Sequence, residues 1–464
     1  MNKDEIIQQL QVFRKNDIPW REGRLWSYVY YLDKETEDIG KLAYMEYLTE
    51  NGIDATAFQS LRLMENEVIA WCRELLRGDE EVVGTLTTGG TESILLAVKT
   101  ARDRAQALNP SQTEFEMILP ETVHAAFYKA AHYFGVKPVT VPVNESSYKA
   151  TAELIKSSVN TNTILIAASA MSYAYGVVDE IKEIGQLAME KNILFHVDGC
   201  IGGFILSTAR EGGYSIEDFD FAIPGVTSIS MDLHKYGYCP KGASVLLFKN
   251  DGLRKHQLFV CNDWTGYTFA NTGILSSKTG GPIAASWAVM NHIGKKRYAE
   301  IGIKTFEVAQ EIREKLAAHP DIQILADPPY SLLAFTTPGI NIYALSDELK
   351  AKKWYAGLQF RHGVIPTNIH LTVAAHHFNN YQAFIDDLFD CIEKVKKENQ
   401  PLLEMDLSAI KPEGLEAVLG QLGLAGGELP ARMATINQLL EQLPAPVSKE
   451  LLLGFMQELY KCKM

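Results

Sequence analysis

The chain has 464 residues, too many for one small core, so two or three domains, or one large α/β domain with an appendage, are expected. Hydrophobic residues make up 47% and charged residues 22%, which excludes a disordered or fibrous chain. Against 57 acidic side chains there are 44 basic ones, a formal charge of −13 with no long Lys/Arg run, so nucleic acid and anionic membranes are poor partners.

Residues 1–50 read as helical and aromatic-rich, with "WSYVYYLD" at 26–33. The opening "MNKDEIIQQLQVFRKND" is charged and amphipathic and lacks the apolar core of a signal peptide. No apolar run reaches membrane-spanning length. The six cysteines are scattered and form no C-x-x-C pair, which argues against a zinc site or a disulfide framework. A cytoplasmic protein without a metal is expected.

Apolar residues at helical spacing mark 58–76. A strand at 82–88 is broken by Gly89-Gly90 and followed by a helix over 91–105. Strands at 115–120, 137–143 and 163–170 precede helices from about 122, near 151 and near 178–191; strands at 193–198, 228–232 and 244–248 follow. Short apolar strands alternating with helices predict a largely parallel sheet covered on both faces, with ligands at the carboxyl ends of its strands. From about 285 comes a long helical stretch, then shorter strands near 322–326, 331–336 and 364–373 and a helix to about 398, the pattern of a smaller α+β domain. Residues 401–464 carry two amphipathic helices. The expected division is an N-terminal helical segment 1–57, a large domain 58–285, and a C-terminal small domain with a helical tail, 286–464.

The residues after the strands are chemically suggestive. "SMDLHKYGYCPKG" (230–242) ends an apolar strand on His234-Lys235 and carries Lys241 six residues later. A lysine amine becomes a nucleophile when burial or a nearby cation depresses its pKa; a solvated turn lysine is the plainer reading. "TTGGTES" (87–93) is strand, Gly-Gly, helix start, which suits a phosphate on the helix N-terminus, or equally a tight turn with Thr91 as N-cap. In "FHVDGC" Asp198 ends a strand and could pair with a protonated ring nitrogen, or simply start a turn. His124 follows the strand at 115–120 and could stack on a flat ring, or be a partly buried helix histidine. Phosphate cradle, stacking ring, carboxylate and amine-bearing lysine, in that order and each after a strand, are what pyridoxal 5′-phosphate requires of its protein.

"GTLTTGGTESILLAVKTARD", "VHAAFYKAAHYFGVK", "HVDGCIGGF" and "GVTSISMDLHKYGYCPKGASVLLF" resemble the sphingosine 1-phosphate lyases, fold-type I pyridoxal-phosphate enzymes near the group II amino-acid decarboxylases. The likeness runs from about residue 25 into the C-terminal tail. It implies a homodimer with two shared active sites. Lys235 would hold the cofactor covalently beside His234, and Gly90 and Thr91 would bind its phosphate, helped by Ser277 of "SSKTGG" reaching the other subunit. His124 would stack on the ring and Asp198 pair with its nitrogen. Tyr30, Asn51 and Lys241 match residues that hold the substrate phosphate in the lyases.

This chain departs from the lyase pattern on the substrate side. Asp54 stands where a phosphate-binding histidine belongs, and a carboxylate beside a phosphate is repulsive. Phe269 replaces a tyrosine, "SSKTG" with Lys278 replaces "GSRPG", and "SAMSYAYG" replaces "SAPGFPHG". The resemblance implies a carbon–carbon lyase that cleaves a phosphorylated amino alcohol to an aldehyde and phosphoethanolamine. An amino-acid decarboxylase is the alternative, with Asp54 recognising a cationic or hydroxylated substrate. Transamination, with Arg361 gripping a carboxylate, is a third reading.

Overall fold

The computed structural model describes residues 1–363, 365–399, 402 and 432–462. Seven strands form the large sheet: β1 Val83–Thr87, β2 Glu116–Pro120, β3 Lys137–Val141, β4 Thr163–Ser169, β5 Leu194–Asp198, β6 Ser228–Met231 and β7 Ser244–Phe248. Their order is β1-β7-β6-β5-β4-β2-β3. β7 runs antiparallel to both neighbours, β1 and β6, and the remaining pairs are parallel. The sheet is thus the mostly parallel α/β sheet expected, with helices on both faces.

The strands are apolar on both sides because both sides are covered. Ile166, Ala168, Phe195, Val197, Ile229 and Met231 point into one core, shared with Phe204 and Ile205 of helix Gly202–Glu211. The alternate residues Met117, Leu119, Leu165 and Ala167 pack with Ile94 and Val98 of helix Gly90–Leu108 and Phe127 of helix Ala126–Phe134. Helix Gly202–Glu211 was not anticipated. Gly202 is there for close approach: a Cβ on it would lie 2.2 Å from the Ala170 carbonyl oxygen.

Helix Gly280–Ala317 begins in the large-domain core at Ile283 and Met290 and ends in a second core at Val308, Ile312 and Leu316. Its backbone breaks at Gly294, where φ is 71°. The second core covers an antiparallel sheet of β10 Gln323–Leu325, β11 Leu332–Thr336, β13 Asn368–Thr372 and β12 Gly357–Gln359, in that order. Between the two sheets, β8 Phe259–Cys261 and β9 Phe269–Asn271 make an exposed hairpin.

The aromatic run at 26–33 is not helical, contrary to expectation; helices occupy Lys3–Phe13 and Lys34–Glu46 instead. The run is extended and docks on the small domain. The Trp26 N–H donates to the Tyr355 carbonyl and its own carbonyl accepts from Thr372. The Trp26 indole is fully buried, stacked on His377 with ring centroids 4.0 Å apart. Burial of so large a ring outweighs the run's helical spacing. In the tail, helices Ala434–Gln442 and Ala445–Leu459 lie within the described residues, whereas most of 400–431 lies outside them.

Candidate active site

Five strand ends meet around a cavity of 460 Å³ at the carboxyl edge of the large sheet. Gly90 and Thr91 follow β1, His124 follows β2, Tyr173 follows β4, Asp198 closes β5, and Asp232, His234 and Lys235 follow β6; all line the cavity. In a mostly parallel sheet this edge is where helix N-termini and loops converge.

The phosphate cradle is built from the first turn of helix Gly90–Leu108, which no side chain caps. Gly89 has φ 146°, a conformation side chains avoid, and a Cβ on Gly90 would lie 2.8 Å from both Asp232 Oδ1 and Cys200 Sγ. The helix dipole and its unclaimed N–H groups favour an anion here. Glu92, not anticipated, accepts from the Thr88 N–H at 2.6 Å and the Ile274 N–H at 2.6 Å. It thereby ties Ile274 and Leu275 to the cavity rim.

Asp198 Oδ1 accepts from the Cys200 N–H at 3.0 Å and from Ser230 Oγ at 3.3 Å. Behind it, His196 lies 3.2 Å from Ser230 Oγ and 2.8 Å from Ser228 Oγ. Burial holds the His196 imidazole down to about 4, so it is neutral and serves as a hydrogen-bonding prop. The signal for it was the period-two spacing of His196/Asp198 and Ser228/Ser230 on adjacent strands. His124 lies on the rim, where its Nδ1 accepts from the Ala126 N–H at 3.2 Å.

Lys235 Nζ sits at the cavity floor, 2.9 Å from Asp232 Oδ2, with its side chain 22% exposed. Burial pulls the lysine down, but the Asp232 carboxylate, aided by Cys200 and Asp198, more than reverses this and holds the ammonium above its ordinary value. The depressed lysine expected from sequence is therefore not found: its counter-ion, Asp232, is three residues upstream in the same turn. Asp232 is itself buried, yet Lys235 and His234 keep it below the usual carboxylate range.

The segment 232–243 is closed by its own backbone. His234 N–H donates to the Ala243 carbonyl at 3.1 Å, Cys239 N–H to Leu233 at 3.1 Å, and Tyr238 N–H to Lys235 at 3.0 Å. The buried Tyr298 hydroxyl donates to the Gly237 carbonyl at 2.7 Å. This loop carries Lys241 into an adjoining pocket of 410 Å³, lined also by Tyr30, Tyr44, Tyr238 and His234. Lys241 Nζ is 5.5 Å from the Tyr30 ring centroid, and the Tyr30 ring meets Tyr236 edge-on at 4.9 Å. Burial first, then repulsion by Lys235, lowers Lys241 to about 8. His234, which burial lowers to about 4, lines both spaces.

Asn51, Asp54, Ser277 and Arg361 line neither of these spaces. Asn51 Nδ2 is 3.4 Å from Ser277 Oγ, and its Oδ1 accepts from the Lys278 N–H at 3.0 Å. Asp54 is on an exposed turn, accepting from the Thr56 N–H at 2.8 Å, and with Phe269 and Lys278 it lines a different groove of 820 Å³. Lys278 pairs with Glu65 at 2.5 Å. Ser277 also lines a narrow space with Thr88, Glu92 and Gly242, whereas Asp54 stands in the groove with Phe269. Arg361 lines a third groove with Tyr343, Thr367 and Glu441, separate from the cavity.

The cradle, with its clearance only for hydrogen at Gly90, its uncapped helix N-terminus and the Lys235 amine lining the same cavity fit a phosphorylated aldehyde cofactor held by an amine. Comparison with known proteins agrees. Residues 42–337 match the family described as "Pyridoxal-dependent decarboxylase conserved domain", and residues 399–458 match an HTH-type C-terminal domain of pyridoxal-dependent enzymes. Sphingosine-1-phosphate lyase of Oryza sativa subsp. japonica is 36% identical over 407 residues, 86% of this chain and 74% of that protein. The Saccharomyces cerevisiae lyase is 32% identical over 466 residues, 99% of this chain and 74% of that one. The solved sphingosine-1-phosphate lyase of Burkholderia pseudomallei superposes with a TM-score of 0.82 at 30% identity, covering 93% of this chain and 96% of that one. Glutamate decarboxylase of Lactobacillus brevis shares the fold at a TM-score of 0.76 and 19% identity, over 87% of this chain and 94% of that one. The chain belongs to the pyridoxal-dependent decarboxylase family, in its sphingosine-1-phosphate lyase-like branch, and is a pyridoxal 5′-phosphate-dependent lyase.

Proposed function

We propose that this enzyme cleaves the carbon–carbon bond of a phosphorylated amino alcohol, yielding an aldehyde and phosphoethanolamine. One observation carries the reading: a single loop places Lys235 on the floor of the cofactor cavity and Lys241 beside Tyr30 in the adjoining pocket, with His234 between them. A second cation at that position suits a substrate whose far end is an anion. Gly90 and Thr91 would hold the cofactor phosphate, His124 would cover its ring, and Lys235 Nζ would hold it covalently. When bound, the cofactor supplies an electron sink for the pair released at the broken bond. Asp198, braced by Ser230 and Cys200, would keep a proton on the ring nitrogen. The Lys235–Asp232 pair holds a proton at Nζ, so Lys235 stands in the site as a proton donor.

The active unit is a homodimer in this reading. Ser277 and Asn51, whose side chains lie 3.4 Å apart, would serve the partner's site together with Asp54. The exposed apolar residues Ile6, Ile7, Leu10 and Phe13 on the first helix, and Phe259, Val260 and Trp264 on the β8–β9 hairpin, support burial against a second copy. The six unpaired cysteines suit a reducing compartment, the cytoplasm. Among the described residues no helix is long and apolar enough to cross a membrane.

The test is to incubate the holoenzyme with sphingosine 1-phosphate and with a panel of amino acids, and to identify products by mass spectrometry. A long-chain aldehyde with phosphoethanolamine supports the reading. CO2 from an amino acid with no aldehyde from the phosphorylated amine refutes it in favour of decarboxylation.

A further inference from the structure

Behind Asp198 the buried polar groups form a chain with a direction. His196 and Asp198 sit two residues apart on β5 and pair in register with Ser228 and Ser230 on β6. His196 Nδ1 is 2.8 Å from Ser228 Oγ, and its Nε2 is 3.2 Å from Ser230 Oγ. Ser230 Oγ is in turn 3.3 Å from Asp198 Oδ1 and 3.2 Å from the Cys200 thiol. His196 and Ser230 are fully buried, while Asp198 and Cys200 line the cavity.

The hydrogens follow from what each group is able to give. A carboxylate only accepts, so the Ser230–Asp198 contact is a hydrogen bond only if Ser230 donates. A charged acceptor is also the stronger of the two that this hydroxyl faces. Having spent its one hydrogen, Ser230 Oγ accepts from the Cys200 S–H and from His196, which fills both of its lone pairs. His196 therefore carries its hydrogen on Nε2. Burial, opposed by Asp198, holds the imidazole at about 4 and so neutral, which leaves Nδ1 to accept from Ser228. Ser228, His196 and Ser230 thus donate in one direction, towards Asp198.

We propose that His196 is a positioning residue: as the Nε2–H tautomer it holds Ser230 as a donor to Asp198, and the chain keeps the proton shared by Asp198 and the cofactor's ring nitrogen on the nitrogen. The proposal rests on the Asp198 role given above. Both hydrogen bonds to the Asp198 carboxylate, from Ser230 and from the Cys200 N–H, fall on Oδ1, which leaves Oδ2 for the ring nitrogen. Hydrogen bonds accepted by one carboxylate oxygen weaken the other's hold on a proton. Hydrogen bonds aligned in a buried chain also strengthen one another. Asp198 is thereby kept as a partner for a protonated ring, the form that serves as an electron sink.

Two measurements test this. Neutron diffraction from crystals of the deuterated holoenzyme should show deuterium on His196 Nε2 and none on Nδ1; deuterium on Nδ1 breaks the chain's direction and overturns the proposal. Separately, the enzyme is loaded with pyridoxal 5′-phosphate labelled with nitrogen-15 in the ring, and the ring's NMR signal is recorded. The parent should give the signal of a protonated ring. Ser230→Ala and His196→Leu should shift it towards that of an unprotonated ring, and His196→Gln, which can still donate to Ser230, should shift it least. If Ser230→Ala and His196→Leu bind the cofactor and keep the parent's signal, the proposal is overturned and the Asp198 role stands. An unprotonated ring in the parent refutes both together. Should the variants fail to fold, the neutron result on the parent decides.

Discussion

Asp232→Asn keeps the size of the side chain at the cavity floor and removes its charge. At 2.9 Å, with an effective dielectric constant of about 20, the Lys235–Asp232 attraction is about 6 kcal/mol, equivalent to about four pKa units. Relaxation and the nearby Asp198 reduce this, so a fall of about two units or more in the Lys235 pKa is expected. The sign follows from the two directions. Lys235 is raised, so its share of stability is full below its unfolded pKa and fades as pH climbs through the raised value. Asp232 is lowered, so its share is full above its unfolded pKa and fades as pH falls through the lowered value. At neutral pH both are complete, and breaking the pair should cost about 3 kcal/mol or more. Cofactor-free parent and variant are mixed with pyridoxal 5′-phosphate at a series of pH values, and the growth of the visible band is timed. Attachment needs a neutral amine, so the variant's rate should reach its plateau at a pH lower by about two units. Coincident pH profiles would falsify the assignment of Asp232 as the group that governs Lys235.

Asp198→Ala should still take up the cofactor, fixed on the Lys235 peptide by borohydride, but should lose turnover by orders of magnitude; near-normal turnover removes Asp198 from the ring nitrogen. Lys241 titrates at about 8, so the preference for phosphoethanolamine over ethanolamine should be full below that pH and lost above it. Calorimetry from about pH 6 to 10 reads the change, and a pH-independent preference in the parent refutes the cation's role. Mixing inactive Lys235→Ala with inactive Ser277→Trp should restore activity through hybrid dimers carrying one intact site. No recovery in a mixture shown to exchange subunits rules out shared sites.

The large sheet was readable because strands buried on both faces leave short apolar runs, and each observed strand falls within two residues of its expected span. Gly90, His124, Asp198 and Lys235 were readable because each ends or follows such a run. Asp232 was not, since it reads as the polar close of a strand; only the turn that brings its carboxylate to Lys235 reveals it. Tyr173 was hidden likewise: its setting is a ring from β13, about 200 residues away in sequence. The run at 26–33 misled because its aromatic residues answer to separate partners, Trp26 to His377 and Tyr30 to Tyr236, so its spacing reflects docking rather than a helix face. The β8–β9 hairpin was not anticipated, because strands of three residues with none buried are too short to show an alternation.

Since β7 runs back beside β6, the loop carrying both lysines starts and finishes on one edge of the sheet. A crossover helix, the usual connection between parallel strands, would have sent the chain to the opposite edge before it returned. Anchored at both feet and stitched across its waist, the loop behaves as a caliper with an amine on each jaw. Tyr236 and Tyr238 tie it to the small domain as well, through Ser331, Val373 and Ala375. In the function proposed above, ligands would then be gauged by the length between their amine and their anionic end. A one-residue insertion between Gly237 and Pro240 would reset the gauge while leaving Lys235 seated on Asp232.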